Sequence, residues 1–180
     1  MDIYKTAKKY RTSLSGFFGV LYLIVSQPTF KSLKYGTLLI IIGQAIRLWS
    51  SGHIYKSQVL TVTGPYSLSR NPLYVGSFVL GTGFIIAMGV IWLGVVFLFF
   101  FAAVYWFTIR WEEQKLAREF PDEWEVYKRT VPRFLSFSNL SNYHPGEFSW
   151  IQVRKHKEIL NALVVVAAYA FLWGKALLIG

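Results

Sequence analysis

GPYSLSRNPLYVG, residues Gly64 to Gly76, is a short polar stretch set between two runs apolar enough to lie in a membrane. Gly64-Pro65 and Asn71-Pro72 are both turn signals, and Pro72 suits the first turn of a helix, where a missing N–H costs nothing. The stretch therefore predicts a folded-back loop that feeds a membrane helix. Between and just after its turns stand Tyr66, Ser67, Ser69, Arg70, Asn71 and Tyr74. Hydrogen-bond donors and one fixed positive charge are thus concentrated at the mouth of an apolar element.

The flanks extend that reading. Upstream, Leu14 to Phe30 and Tyr35 to Trp49 are apolar enough to form two helices, joined tightly by Thr29 to Lys34, with Arg47 expected to snorkel toward an interface. Downstream, Pro72 to Arg110 is close to twice a spanning length of about 20 residues, so it has to fold back, with the turn expected at Gly89 to Gly94. Glu112 to Lys128 reads as one amphipathic helix with Leu116, Phe120, Trp124 and Tyr127 on a single face. Phe134 to Phe148 reads as a loop, and Glu158 to Leu178 as a last apolar helix. The expected fold is an all-α polytopic membrane bundle of about five spans, a single domain over residues 1–180.

Composition supports this. Of 180 residues, 54% are hydrophobic and only 16% charged, which is too apolar for an ordinary soluble domain. The net charge of +10 comes from clusters that alternate with apolar runs, a pattern of membrane topology and not of nucleic-acid binding. With an N-terminus in the cytoplasm, the basic lead, the polar stretch and the charged segment from Arg110 to Lys157 all fall on the cytoplasmic side. The expected location is the cytoplasmic membrane. Cysteine is absent from the chain, which excludes disulfides, thiolate metal sites and a thiol nucleophile. His53, His144 and His156 lack metal-ligand spacing, and no metal is expected.

The second charged block, EEQKLAREFPDEWEVYKRTVPR from Glu112 to Arg133, follows the first at one helical hairpin's distance. The two blocks in order resemble the signature of the isoprenylcysteine carboxyl methyltransferase family and its bacterial and phospholipid N-methyltransferase relatives. The resemblance covers roughly residues 60–135; the segment 136–180 is an extension carrying a further helix. It implies methyl transfer from S-adenosylmethionine to a lipophilic acceptor, either a prenylcysteine-like carboxylate or a lipid amine or other small nucleophile.

Residue by residue, the resemblance implies that Leu60, Gly64, Pro65 and Tyr66 line the cofactor while Asn71, Pro72, Tyr74 and Gly76 fix it. Glu112 and Tyr127 then close the site, and Arg70, Glu113 and Arg133 carry the chemistry. An arginine suits the cofactor's carboxylate, and a glutamate suits its ammonium group or ribose hydroxyls. An ionised acceptor needs no base; an amine or thiol acceptor would need Glu113, Tyr127 or a histidine to take a proton. Two other functions fit parts of the pattern. Sterol C14/Δ7 reductases, which use NADPH, share the R-N-P-x-Y-x-G block, and a non-catalytic membrane scaffold would keep the helices without using the charges.

Overall fold

A computed structural model describes residues 16, 19–55, 59–90, 92–135 and 141–179. The described residues are helical apart from turns and extended links. They comprise α1 (residues 19–25), α2 (Phe30–His53), a 3-10 turn (Gly64–Ser67), α3 (Pro72–Ala87), α4 (Trp92–Glu119), α5 (Pro121–Thr130), α6 (Trp150–Lys155) and α7 (Glu158–Ile179). The expected basic lead, residues 1–13, lies outside the described residues.

The break between the first two helices falls earlier than expected, at residues 26–29. Its cause is a capping box: Ser32 N donates to Thr29 Oγ1 at 3.1 Å and Thr29 N donates to Ser32 Oγ at 2.9 Å. These bonds satisfy backbone donors that a helix start leaves open. Helix α2 therefore begins at Phe30 rather than Tyr35.

Helices α2 and α3 form the spine. Gly36 and Gly43 of α2 meet Gly83 and Gly76 of α3, and a Cβ at any of the four would fall closer than 3.0 Å to the facing helix. Absent side chains let the two backbones touch, as close-packed membrane helices do. At the far end of this pair, Gly89 (φ +72°) turns the chain into α4, and the link before α2 is tied to that turn by Gln27 N donating to Met88 O at 2.8 Å. The expected turn is present, although α4 starts at Trp92, three residues before the expected Val95.

The single amphipathic helix expected over Glu112 to Lys128 is two helices. Helix α4 runs on through Glu119, and the chain breaks at Phe120 (φ −137°, ψ 64°) because Pro121 follows it. A residue before proline is driven out of the helical region, and proline then serves well at the first position of α5. The expected apolar face survives the break: Trp124, Tyr127 and Val131 are buried together, with Leu116, Ala117 and Leu60 packed on them.

The C-terminal helix is stitched to the bundle by polar contacts. Arg47 donates to both carboxylate oxygens of Glu158 at 2.8 Å, and Asn161 donates to Glu158 Oε1 at 2.8 Å. Further along α7, Tyr169 pairs with Thr37, and Lys175 donates to the carbonyls of Leu23 and Ile24 at the end of α1. Arg47 thus turns inward and does not snorkel, because a buried carboxylate waits for it. The short helix α6 occupies the end of the polar segment, where sequence offered only the loop before it and no helix.

Among the described residues, α4 and α7 are long and apolar enough to cross a membrane, and α3 is apolar but only 16 residues long. Their outward faces are bare: Phe99 and Phe107 on α4 and Leu163 and Leu178 on α7 are more than half exposed. A lipid environment is the one in which such faces are at no disadvantage.

Candidate active site

The polar stretch folds as the 3-10 turn Gly64–Ser67 followed by a tight link into α3. Gly64 has φ +59°, which a Cβ would disfavour, and His53 packs against it too closely for any side chain. Pro65, Ser67 and Ser69 are fully buried, so this loop is an interior element of the site and not a surface connector. Asn71 stands at the N-terminal boundary of α3 and Pro72 at its first position, as the sequence predicts.

Three charges meet where the link approaches α4. Arg133 donates from Nε and Nη2 to the two oxygens of Glu113, at 3.1 and 2.6 Å. Arg70 Nη2 approaches the same carboxylate at 3.5 Å. One glutamate therefore faces two guanidinium groups, and the cluster keeps a net positive charge. Its backbone frame is tight: Arg70 N donates to Pro132 O at 2.9 Å, while Ser69 Oγ and Asn71 Nδ2 both donate to Arg133 O, at 3.2 and 3.1 Å. Ser69 in turn accepts from Asn71 N at 3.1 Å.

Arg70 is the unsatisfied member. Its side chain is 9% exposed and its guanidinium lies 5.5 Å from the Trp124 ring centre, yet Nε and Nη1 are buried without a hydrogen-bond partner. Buried polar groups are nearly always paired, and an orphaned charged donor costs free energy. These two N–H groups could donate to an anion.

Two buried tyrosines stand beside it. Tyr127 donates its hydroxyl to Tyr66 O at 2.7 Å. Burial raises the Tyr127 pKa well above the ordinary phenol value, with Arg70 pulling it down and Glu113 pushing it up. Tyr66 is raised further, chiefly by burial, with Tyr127 and Glu112 adding to the effect. Both stay protonated through the physiological range. The hydrogen bond to Glu113 likewise raises the pKa of Arg133, against a smaller lowering by burial.

The two neighbouring glutamates divide their duties. Glu113 is committed to the arginines, whereas Glu112 forms no ion pair among the described residues and is felt at Tyr66. Leu60 packs on the Trp124 cluster below the site. Tyr74 sets its ring edge against Tyr105 at 4.9 Å between centres and lines the same cleft as Arg133. Gly76 faces Arg47 and Gly43 of α2, so its missing side chain serves the helix crossing. Sequence reasoning named Ser69 among the donors of the polar stretch and Trp124 on the apolar face of the second block, but gave neither a role in the site.

Between α3 and α4 lies an apolar cleft of about 500 Å³, lined by Tyr74, Phe78, Phe101, Tyr105, Trp106 and Ile109. Arg133 also lines it, with Phe134 and Leu135. The cleft thus brings an aromatic wall to the charged cluster.

The phospholipid methyltransferase family matches the chain over residues 32–123, the two-helix spine, the polar stretch and α4. The chain belongs to this family. It is also 37% identical over 124 residues to the nickel-cobalt-cadmium resistance protein NccN of Alcaligenes xylosoxydans xylosoxydans, covering 64% of this chain and 58% of that one. A similar match, 37% over 122 residues, links 66% of it to 54% of the cobalt-zinc-cadmium resistance protein CzcN of Cupriavidus metallidurans. The chain therefore spans a little over half the length of these relatives. No solved structure matches it. Family membership and two helices long and apolar enough to cross a membrane make this a membrane protein of a methyltransferase family.

Proposed function

We propose that the protein is an integral membrane methyltransferase that uses S-adenosylmethionine to methylate a lipophilic acceptor, with its site at the cytoplasmic face. The observation that carries this reading is Arg70: a buried guanidinium with two unpartnered N–H groups, sharing Glu113 with Arg133, which itself lines an apolar cleft. The donor set fits the cofactor. Arg70 Nε and Nη1 suit its carboxylate, and the uncommitted Glu112 suits its ammonium group.

When bound, S-adenosylmethionine supplies an electrophilic methyl group on a sulfonium centre. The chain's own contribution is alignment and dryness. Glu113 holds both arginines at fixed positions, and the aromatic wall of the cleft excludes water while admitting an acceptor's chain from the bilayer. Arg133, which lines that cleft, orients an acidic head. No strong base stands ready in the cluster: both oxygens of Glu113 are taken and Tyr127 holds its proton. The arrangement therefore favours an acceptor already ionised at neutral pH, such as a carboxylate, over an amine.

The relatives' names attach to metal resistance, and methylation of a membrane component is the form in which this chain would serve such a role. The test is transfer of labelled methyl from S-adenosylmethionine into solvent-extractable lipid by membranes carrying the protein. Label that appears with the unaltered chain and is lost with Arg70→Ala supports the reading; no label above control membranes contradicts it. Oxidation of NADPH by the same membranes would favour a reductase.

A further inference from the structure

A second pocket, of about 300 Å³, lies at the start of the polar stretch, lined among others by His53, Tyr55, Leu60, Thr61, Thr63 and Glu147. Its walls come from two parts of the chain. Leu60 to Thr63 lie within the family match, whereas Glu147 belongs to the segment 141–149 beyond it.

That segment is pinned across the 3-10 turn on both sides of Glu147. Before it, Gly64 N donates to His144 O at 2.8 Å and His144 N donates to Ser67 Oγ at 3.1 Å. After it, Ser149 N donates to Gly52 O at 2.9 Å, and Phe148 sets its ring against His53 at 5.8 Å between centres. Gly146 presses on Thr63 so closely that no side chain would fit. Glu147 is itself exposed, but its backbone is held at the pocket by its neighbours.

The chemistry of this pocket is opposite to that of the charged cluster. His53 is 4% exposed, and its Nδ1 lies 2.9 Å from Trp49 O. A carbonyl only accepts, so Nδ1 carries the proton, and in the neutral ring Nε2 is an acceptor. Glu147 adds a carboxylate, and Thr61 and Thr63 add hydroxyls. The pocket therefore recognises a group rich in donors, whereas Arg70 recognises an anion. The two are neighbours through one cluster: Leu60 of the pocket packs on the group of buried residues that contains Trp124, the ring under Arg70.

We propose that Glu147, with His53, binds the nucleoside half of the cofactor, its carboxylate accepting from the ribose diol, so that the C-terminal segment outside the family match forms a wall of the cofactor site. This rests on the methyltransferase reading above. It assigns each half of one molecule to an end of matching chemistry, hydroxyl and amine donors to the pocket and the carboxylate to Arg70.

Calorimetric titration of the detergent-purified full chain with S-adenosylhomocysteine and with 5′-methylthioadenosine, which lacks the amino-acid half, separates the ends. Glu147→Ala is expected to weaken both ligands about tenfold or more, the scale of a lost hydrogen bond to a charged group. Arg70→Ala is expected to weaken S-adenosylhomocysteine and leave 5′-methylthioadenosine unchanged. Glu147 is exposed, so its replacement does not threaten the fold. Unaltered affinity for both ligands in Glu147→Ala overturns the inference while leaving the methyltransferase reading intact. Binding of neither ligand by the unaltered chain overturns both.

Discussion

Among the described residues, two arginine–glutamate sites are finished differently. At the spine, Arg47 gives two hydrogen bonds to Glu158 and a third to Ser77, and Glu158 receives a further donor from Asn161. At the polar stretch, Glu113 is shared between Arg133 and Arg70, and two N–H groups of Arg70 have nothing to bond. The first is a closed network that fixes α7 to α2. The second leaves Arg70 Nε and Nη1 without a partner. One carboxylate serves one arginine at the spine and two at the polar stretch, and only at the spine is every guanidinium nitrogen matched.

Substitutions sharpen that contrast, and the largest effect is expected at the staple. Glu158→Ala would leave Arg47 buried and unpaired, a cost of about 3–5 kcal/mol read as loss of thermal stability in detergent. Replacing the pair together, Arg47→Met with Glu158→Leu, is expected to restore most of that stability. Arg70→Ala should do the reverse, lowering ligand affinity about 100-fold, near 2.7 kcal/mol, with melting little changed because Glu113 keeps Arg133.

Gly43→Ala tests the spine itself. A methyl group there meets the α3 backbone, and overpacking of this kind costs about 1–3 kcal/mol. Tyr127→Phe removes the bond to Tyr66 O and is expected to cost about 1 kcal/mol. Its pH signature is distinct. Because burial raises the folded-state pKa of Tyr127, its contribution is full below the unfolded value of about 10 and is lost as pH rises above it. Melting should therefore fall above about pH 10 in the unaltered protein and fall less in Tyr127→Phe. The smallest effect belongs to Lys128→Ala: its 3.9 Å pair with Glu125 is more than half exposed on both sides, and no change in melting or binding is expected.

Much of this organisation was legible in the chain. The glycine and proline signals of Gly64–Gly76 placed the loop and the start of α3, whereas only the family resemblance brought Glu113 and Arg133 of the second block toward Arg70. Hydrophobic runs also located α7 to within a residue. Other features depend on partners distant in sequence. Arg47 reads as an interfacial charge until Glu158, at the head of an otherwise apolar helix, is placed beside it. Gly76 reads as a site glycine until Gly43 and Arg47 are seen to fill its open side. Pro121 carried the signal for splitting the amphipathic segment, but the continuous apolar face across it masked the break.

Only the family resemblance gave Glu112 and Glu113 different roles; composition and spacing do not separate an adjacent pair of identical residues. Their helical positions differ by about 100°, and that rotation commits one to the arginines and leaves the other uncommitted.

The most direct test of the difference between the two sites is titration of the purified protein with S-adenosylhomocysteine beside two variants, Arg70→Ala and Glu158→Ala, each with its melting curve. The account predicts saturable binding by the unaltered chain, binding lost with melting retained in Arg70→Ala, and melting lowered with affinity retained in the folded fraction of Glu158→Ala. Undiminished binding in Arg70→Ala would contradict it.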